Sequence, residues 1–299
     1  MGKLGVLIWR KLFESGDEKR LKKQEQDLSD LVITRDLPYI DDGERGHLFD
    51  LYRLPSADEN APVLINIHGG GLFASYKEVN VNFNYEWARR GYRVVSISYR
   101  RIPETTLWHQ IDDVLAALRY LKENAASLGL NLNRCYLVGD SAGALLSLFA
   151  LSISRSEALQ KAFGIAGAGF DFAATGFISI MLDTQRRDLM SAISNVVTDK
   201  SDRGKPYGKY LLDPSLLLEE ASPAPLFLVT SEEDLIQKDT LKLDRILNER
   251  GTAHTLLNFP KGNENKLIHV FSVQYPMYAE SREVFTKMDA FFKENGGNA

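Results

Sequence analysis

Two rhythms of apolar residues alternate along this chain. Short runs such as Val63-Leu64-Ile65-Asn66-Ile67 and Arg93-Val94-Val95-Ser96-Ile97-Ser98-Tyr99 are almost continuously apolar, as in strands buried on both faces of a parallel sheet. Between such runs, residues 109–127 carry Ile111, Val114, Leu115, Leu118 and Leu121 at helical spacing. The pattern predicts further strands at 31–34 and 48–52, joined across the turn formers Asp41 to Gly46, then at 135–138, weakly at 163–166, and at 225–230 and 255–259. It predicts further helices at 79–90, closed by Gly91, from about 142 onward, and at 238–250 and 279–294.

Strand and helix alternate through most of the chain, which predicts an α/β domain whose mostly parallel sheet of about eight strands is covered on both faces. No repeat, low-complexity tract or linker divides residues 1–299, so a single domain is expected. Two segments break the rhythm. Within residues 1–28, Leu4, Ile8 and Leu12, with Trp9 and Phe13, fall at helical spacing. They predict a helix that packs on the domain, or one that lies against a membrane surface or a partner. Residues 172–215 mix Phe177, Ile178, Ile180 and Met181 with polar positions. They are expected to form a small helical cap inserted over the strand ends, which the N-terminal segment joins to roof an apolar pocket.

Composition narrows the partners. A net charge of −4 offers no basic face for nucleic acid. No apolar stretch has the length of a membrane span, so stable membrane insertion is not expected. The single cysteine, Cys135, excludes a disulfide framework and points to a reducing, cytoplasmic setting. The last helix and an edge strand are compatible with a homodimer.

The chemistry is concentrated in four places. Gly139-Asp140-Ser141-Ala142-Gly143 lies where a strand becomes a helix, the context of a nucleophile elbow that presents the Ser141 hydroxyl at the carboxyl end of the strand. A serine needs a base, the base needs an orienting group, and the oxyanion needs donors. His68-Gly69-Gly70-Gly71 follows a buried strand, and its glycines let backbone N–H groups approach a ligand. The N–H groups of Gly70, Gly71 and Ala142 are therefore the candidate oxyanion hole, with His68 and Gly69 as loop support. Of the five histidines, His269 lies after the last expected strand, where the base falls in this chain order. His47, His68, His109 and His254 are given surface or packing roles. The acid is sought after the strand 225–230, where Glu232, Glu233, Asp234 and Asp239 crowd; Asp234 is preferred and Glu233 stands second.

With these motifs the chain resembles the α/β-hydrolase fold, and within it the hormone-sensitive-lipase-like carboxylesterases, over roughly residues 48–293. His68-Gly69-Gly70-Gly71 and Gly139-Asp140-Ser141-Ala142-Gly143 match that group's two signatures. Tyr99-Arg100 with Pro103-Glu104, Thr230 to Asp234, and His269-Val270-Phe271 match its other segments. Leu235 stands where the group often has proline, and Ala74 and Ala144 where it often has glycine. The resemblance implies hydrolysis of short-chain carboxylic esters, small-molecule substrates, through a Ser141–His269–Asp234 triad with no metal or organic cofactor. An amide-cleaving hydrolase of arylformamidase or peptidase type is the alternative on the same machinery. A non-catalytic ligand-binding member would be expected to lack part of the triad.

Overall fold

The computed structural model describes residues 3–185 and 201–296. Among these the strands are β1 (Val32–Pro38), β2 (Leu48–Arg53), β3 (Val63–Ile67), β4 (Arg93–Ile97), β5 (Cys135–Asp140), β6 (Ala174–Ile178), β7 (Leu226–Ser231) and β8 (His254–Phe259). The helices are α1 (Lys3–Lys23), α2 (Val81–Arg89), α3 (Leu107–Glu123), α4 (Ala125–Leu128), α5 (Ala142–Arg155), α6 (Glu157–Phe163), α7 (Gly208–Leu212), α8 (Leu217–Glu220), α9 (Gln237–Glu249), α10 (Phe271–Gln274) and α11 (Ala279–Asn295).

The strands form one sheet in the order β1-β2-β4-β3-β5-β6-β7-β8. β1 and β2 pair antiparallel, β2 joins β4 antiparallel, and every later pair is parallel. Strand alternation separates two cores. Val63, Ile65, Ile67, Val95, Ile97 and Leu137 face α3 and α5, whereas Leu64, Val94, Tyr136 and Val138 face α2 and α11. Helix α5 is buried from Ala142 to Ile153, which is why its sequence is apolar nearly all round. No single helix among the described residues is long and apolar enough to cross a membrane.

Topology places the site. β4 and β5 lie on opposite sides of β3, so the chain reverses its direction of winding there and opens a crevice at the carboxyl ends of the strands. Ile67, at the end of β3, pairs with Gly139 near the end of β5. The loop after β3 and the elbow after β5 are therefore neighbours by register.

One expected strand is corrected. Residues 163–166 are not a strand: Phe163 ends α6 and Gly164 caps it at φ 68°. The sixth strand is Ala174–Ile178 instead, so the front of the expected 172–215 insertion belongs to the sheet. Its small residues hid it, and they have a packing cause: a Cβ on Gly176 would lie 2.8 Å from the Met288 sulfur of α11. Phe177, Ile178 and Ile180, expected in a pocket roof, are fully buried in the core. The expected insertion also includes residues 186–200, which lie outside the described residues. In its later part, Tyr207 stacks on Phe163 at 5.4 Å and lies near Trp108, against α6 and α3.

Helix α5 approaches β3 more closely than any side chain at position 143 permits. A Cβ on Gly143 would stand 2.0 Å from the Ile67 carbonyl oxygen and 2.5 Å from that of His68. Gly143→Ala is expected to lower unfolding free energy by more than about 4 kcal/mol, or to prevent folding. Gly16→Ala, where nothing lies within 4 Å, should leave stability within about 1 kcal/mol of the parent. Urea unfolding of the two variants checks the contrast.

Candidate active site

Ser141 occupies the turn between β5 and α5 with φ 52° and ψ −115°, a backbone region that non-glycine residues adopt only under constraint. Three backbone bonds hold it there. Its N–H donates to Ile178 O at 2.9 Å, and its carbonyl accepts from Met181 N at 3.1 Å and Leu145 N at 3.3 Å. The bulk limit at the flanking glycines is concrete: a Cβ on Gly139 would meet the Gly143 carbonyl at 2.6 Å.

His269 sits on the loop between β8 and α10. Its Nε2 is 2.9 Å from Ser141 Oγ, and its Nδ1 is 2.8 Å from Asp234 Oδ1. In that arrangement Nδ1–H donates to the carboxylate, which leaves Nε2 free to accept from the serine hydroxyl. Asp234 follows β7 and is nearly buried. Its Oδ1 also accepts from Ile236 N at 3.0 Å, and its Oδ2 accepts from Thr230 Oγ1 at 3.0 Å. Burial alone would raise this carboxyl, but the His269 hydrogen bond and charge, with the Ile236 N–H, outweigh it and hold the carboxyl below its ordinary value.

The other acidic candidates have different work. Glu233 accepts from Leu267 N at 2.8 Å and so anchors the loop that carries His269. Glu232 accepts from Lys261 N at 3.0 Å, and Asp239 accepts from Asp183 N at 2.8 Å. Ser231 Oγ donates to Leu267 O. Ser179 Oγ accepts from Val270 N at 3.2 Å.

The His68-Gly69-Gly70-Gly71 loop folds beside the elbow. Gly70 and Gly71 have φ of 113° and 61°, and Phe73 N and Ala74 N close the turn onto Gly70 O at 3.2 and 2.9 Å. The N–H groups of Gly70, Gly71 and Ala142 make no backbone or side-chain hydrogen bond among the described residues. His68 is fully buried and stacks on Tyr99 at 4.3 Å. Its Nδ1 lies 2.6 Å from Gly69 O, and Tyr99 Oη donates to His68 O at 2.8 Å. Burial lowers the His68 imidazole to about 4, so it is neutral at physiological pH and Nδ1–H donates. The structure thus separates His68, a loop support, from His269. His47 is buried between Asp42 and Asp113, His109 bonds Thr106, and His254 bonds Asp244.

Asp140 supplies a link that sequence reasoning left unexplained. Its buried Oδ1 accepts from Gly69 N at 3.0 Å and from Asn80 Nδ2 at 2.6 Å, and Asn80 also donates to Asn66 Oδ1 at 3.0 Å. One side chain thereby ties the elbow to the glycine loop. Asn80 carries no local sequence signal for this role.

A cavity of about 140 Å³ opens on Ser141, His269, Gly70 and Gly71. Met181 lines it, as do Phe13, Asp17 and Arg20 of α1. Among the described residues, no group of three His, Cys, Asp or Glu side chains is arranged to hold a metal ion.

Known proteins resemble this chain in sequence and in fold. Residues 49–200, just over half of the chain, match the family model BD-FAE. The chain belongs to the BD-FAE family. One curated relative, a probable isoprenylcysteine alpha-carbonyl methylesterase of Arabidopsis thaliana, is 31% identical over 42% of this chain and 32% of its own length. The chain thus spans about a third of the length of the first curated relatives it matches. An acetyl-hydrolase of Streptomyces hygroscopicus is 25% identical over 81% of this chain and 78% of its own. The crystal structure of esterase B from Lactobacillus Rhamnosis superposes with a TM-score of 0.91 at 25% identity, covering 98% of this chain and 94% of that one. The same esterase has also been solved inhibited by a tributyrin phosphonate. The fold of this BD-FAE member is the α/β-hydrolase fold.

Burial raises the Asp140 carboxyl from its ordinary 3.8 to about 6. The folded chain binds this proton more tightly than the unfolded one, so the group's contribution is present below about pH 4 and is lost as pH rises through about 6. The shift corresponds to about 3 kcal/mol. Asp140→Asn keeps an acceptor for Gly69 and Asn80 but cannot titrate. Between these pH values, urea midpoints of the parent are expected to fall relative to those of Asp140→Asn. Parallel curves would refute the buried carboxyl's titration.

Proposed function

We propose that this protein is a serine carboxylesterase. Ser141 attacks the ester carbonyl while His269 takes its proton, and Asp234 holds the imidazole tautomer and stabilises the imidazolium. The N–H groups of Gly70, Gly71 and Ala142 receive the developing oxyanion. His269 then protonates the leaving alcohol, and in the second half-reaction it activates the water that releases the acid. The observation that carries this reading is the unbroken path from Ser141 Oγ through His269 Nε2, at 2.9 Å, and Nδ1 to Asp234 Oδ1, at 2.8 Å. The esterase names among its relatives support it.

Short acyl chains are part of the proposal. The cavity of about 140 Å³ suits a small acid better than a long one. So is the architecture: a single domain in which α1 contributes to the cap over the pocket, with Met181 beside it. A cytoplasmic setting fits the single, buried Cys135.

Ser141→Ala is expected to abolish both turnover and fluorophosphonate labelling while the fold persists; a folded variant that keeps most activity refutes the nucleophile. Asp234→Asn should lower kcat by about 10⁴. A panel of p-nitrophenyl esters of graded length, run beside aryl amides, should show acetyl and butyryl esters turned over best. Faster turnover of amides or of long-chain emulsified lipid refutes the substrate class.

A further inference from the structure

Helix α1 turns Arg10, Glu14, Asp17 and Arg20 toward the body, beside the buried Val6, and leaves most of its large apolar residues outward. On the inner face, Arg10 donates to Phe73 O at 2.5 Å and to Ile102 O at 2.6 Å, and it pairs with both oxygens of Glu104 at 2.8 and 2.6 Å. Glu14 pairs with Arg101 and accepts from Ser75 N at 3.2 Å. Arg20 donates to Gln274 O at 3.2 Å and Val79 O at 3.3 Å, and it pairs with Asp17 at 3.1 Å. Positions 10, 14, 17 and 20 share one helical face. On the opposite stripe, Leu4, Ile8 and Leu12 are 72%, 56% and 62% exposed. Nine large apolar side chains are exposed among the described residues, and six of them lie on α1. A contiguous patch of this kind marks an interaction surface.

Charge selects the occupant. Lys11 lies within the apolar stripe, and Lys19, Lys22 and Lys23 extend it toward the helix end, all exposed. Glu18 is the exposed acid on this helix. The chain as a whole carries −4, so the local excess of positive charge runs against its average. A second copy of the chain on this face would set lysine against lysine. An anionic lipid surface complements both halves of the stripe, because apolar residues enter the headgroup boundary and lysines meet the headgroups.

We propose that α1 docks this protein peripherally on an anionic lipid bilayer, through Leu4, Ile8 and Leu12 with Trp9 at their flank and Lys11, Lys19, Lys22 and Lys23 beside them. The proposal goes beyond the esterase reading and does not depend on it, because docking is measured without turnover. It also gives the inverted helix a reason. The polar inner face holds α1 on the body and lends Phe13, Asp17 and Arg20 to the cavity wall, while the outer face stays free for lipid.

The test is sedimentation of the whole chain with vesicles of phosphatidylcholine, alone or mixed with phosphatidylserine, at low and high salt. Binding is expected to the mixed vesicles and to weaken with salt. Lys19→Glu, Lys22→Glu and Lys23→Glu together should weaken it on the order of a hundredfold. Leu4→Ser, Ile8→Ser and Leu12→Ser together should abolish it. Circular dichroism and thermal melts establish that each variant is folded. The parent's salt and lipid dependence stands as a test even where a variant is not. Absence of parent binding overturns the proposal, as does equal binding to both vesicle types. A concentration-dependent dimer that the serine variant loses, without vesicle binding, overturns it in favour of a second copy.

Discussion

Two backbones meet where β5 turns into α5, and the rest of the site is arranged around that contact. The first turn of α5 lies against the carbonyls of Ile67 and His68, which end β3 and begin the glycine loop. Only glycine at position 143 allows the approach. Because the strands are also in register there, the helix N-terminus and the glycine loop converge on one point from two directions. Asp140 adds a second tie by accepting from Gly69 N. The N–H groups at positions 70, 71 and 142 thus meet at one corner, the placement that the proposed stabilisation of developing charge requires.

Strain collects at this corner. Leu72, Ser75, Ser141, Ser179 and Val270 all have positive φ without being glycine, and all belong to the loops at the carboxyl ends of β3, β5, β6 and β8. Such conformations cost on the order of 1–3 kcal/mol each and persist only where surroundings over-determine them. Here the surroundings are backbone bonds to Ser141, the Ser179 hydroxyl on Val270 N and the core beneath. His269 is placed by the same kind of support. Glu233 and Ser231 fix Leu267, and Leu267 fixes the loop.

The sequence made the site more legible than its supports. Ser141, His269, Asp234 and the glycine loop are each marked by a local pattern or by chain order, and the structure brings them within hydrogen-bond range or into one pocket wall. Glu233 was visible as the second acid but not as an anchor, because its partner is a backbone N–H 34 residues away. Asp140 and Asn80 form their link only after β3 and β5 are paired, so no spacing announces it. The sheet was legible wherever strands carried long runs of large apolar residues. It failed at Ala174–Ile178, where tight packing of α11 selects Gly176 over a residue with strand propensity.

Helix α1 shows how a hydrophobic pattern can be right about an element and ambiguous about its face. Leu4, Ile8 and Leu12 specify a helix, and the usual inference would turn them to the core. Arg10 reverses it. Its side chain is almost fully buried, and four of its five N–H donors meet the two carbonyls and both oxygens of the carboxylate beside it. Turning Leu4, Ile8 and Leu12 inward is unnecessary to explain the packing, since none of the three belongs to either core. An arginine removed from water is costly unless it is paired and hydrogen-bonded, so those four acceptors set the rotation of the helix. The apolar stripe therefore faces outward as a consequence of how the inner face is satisfied.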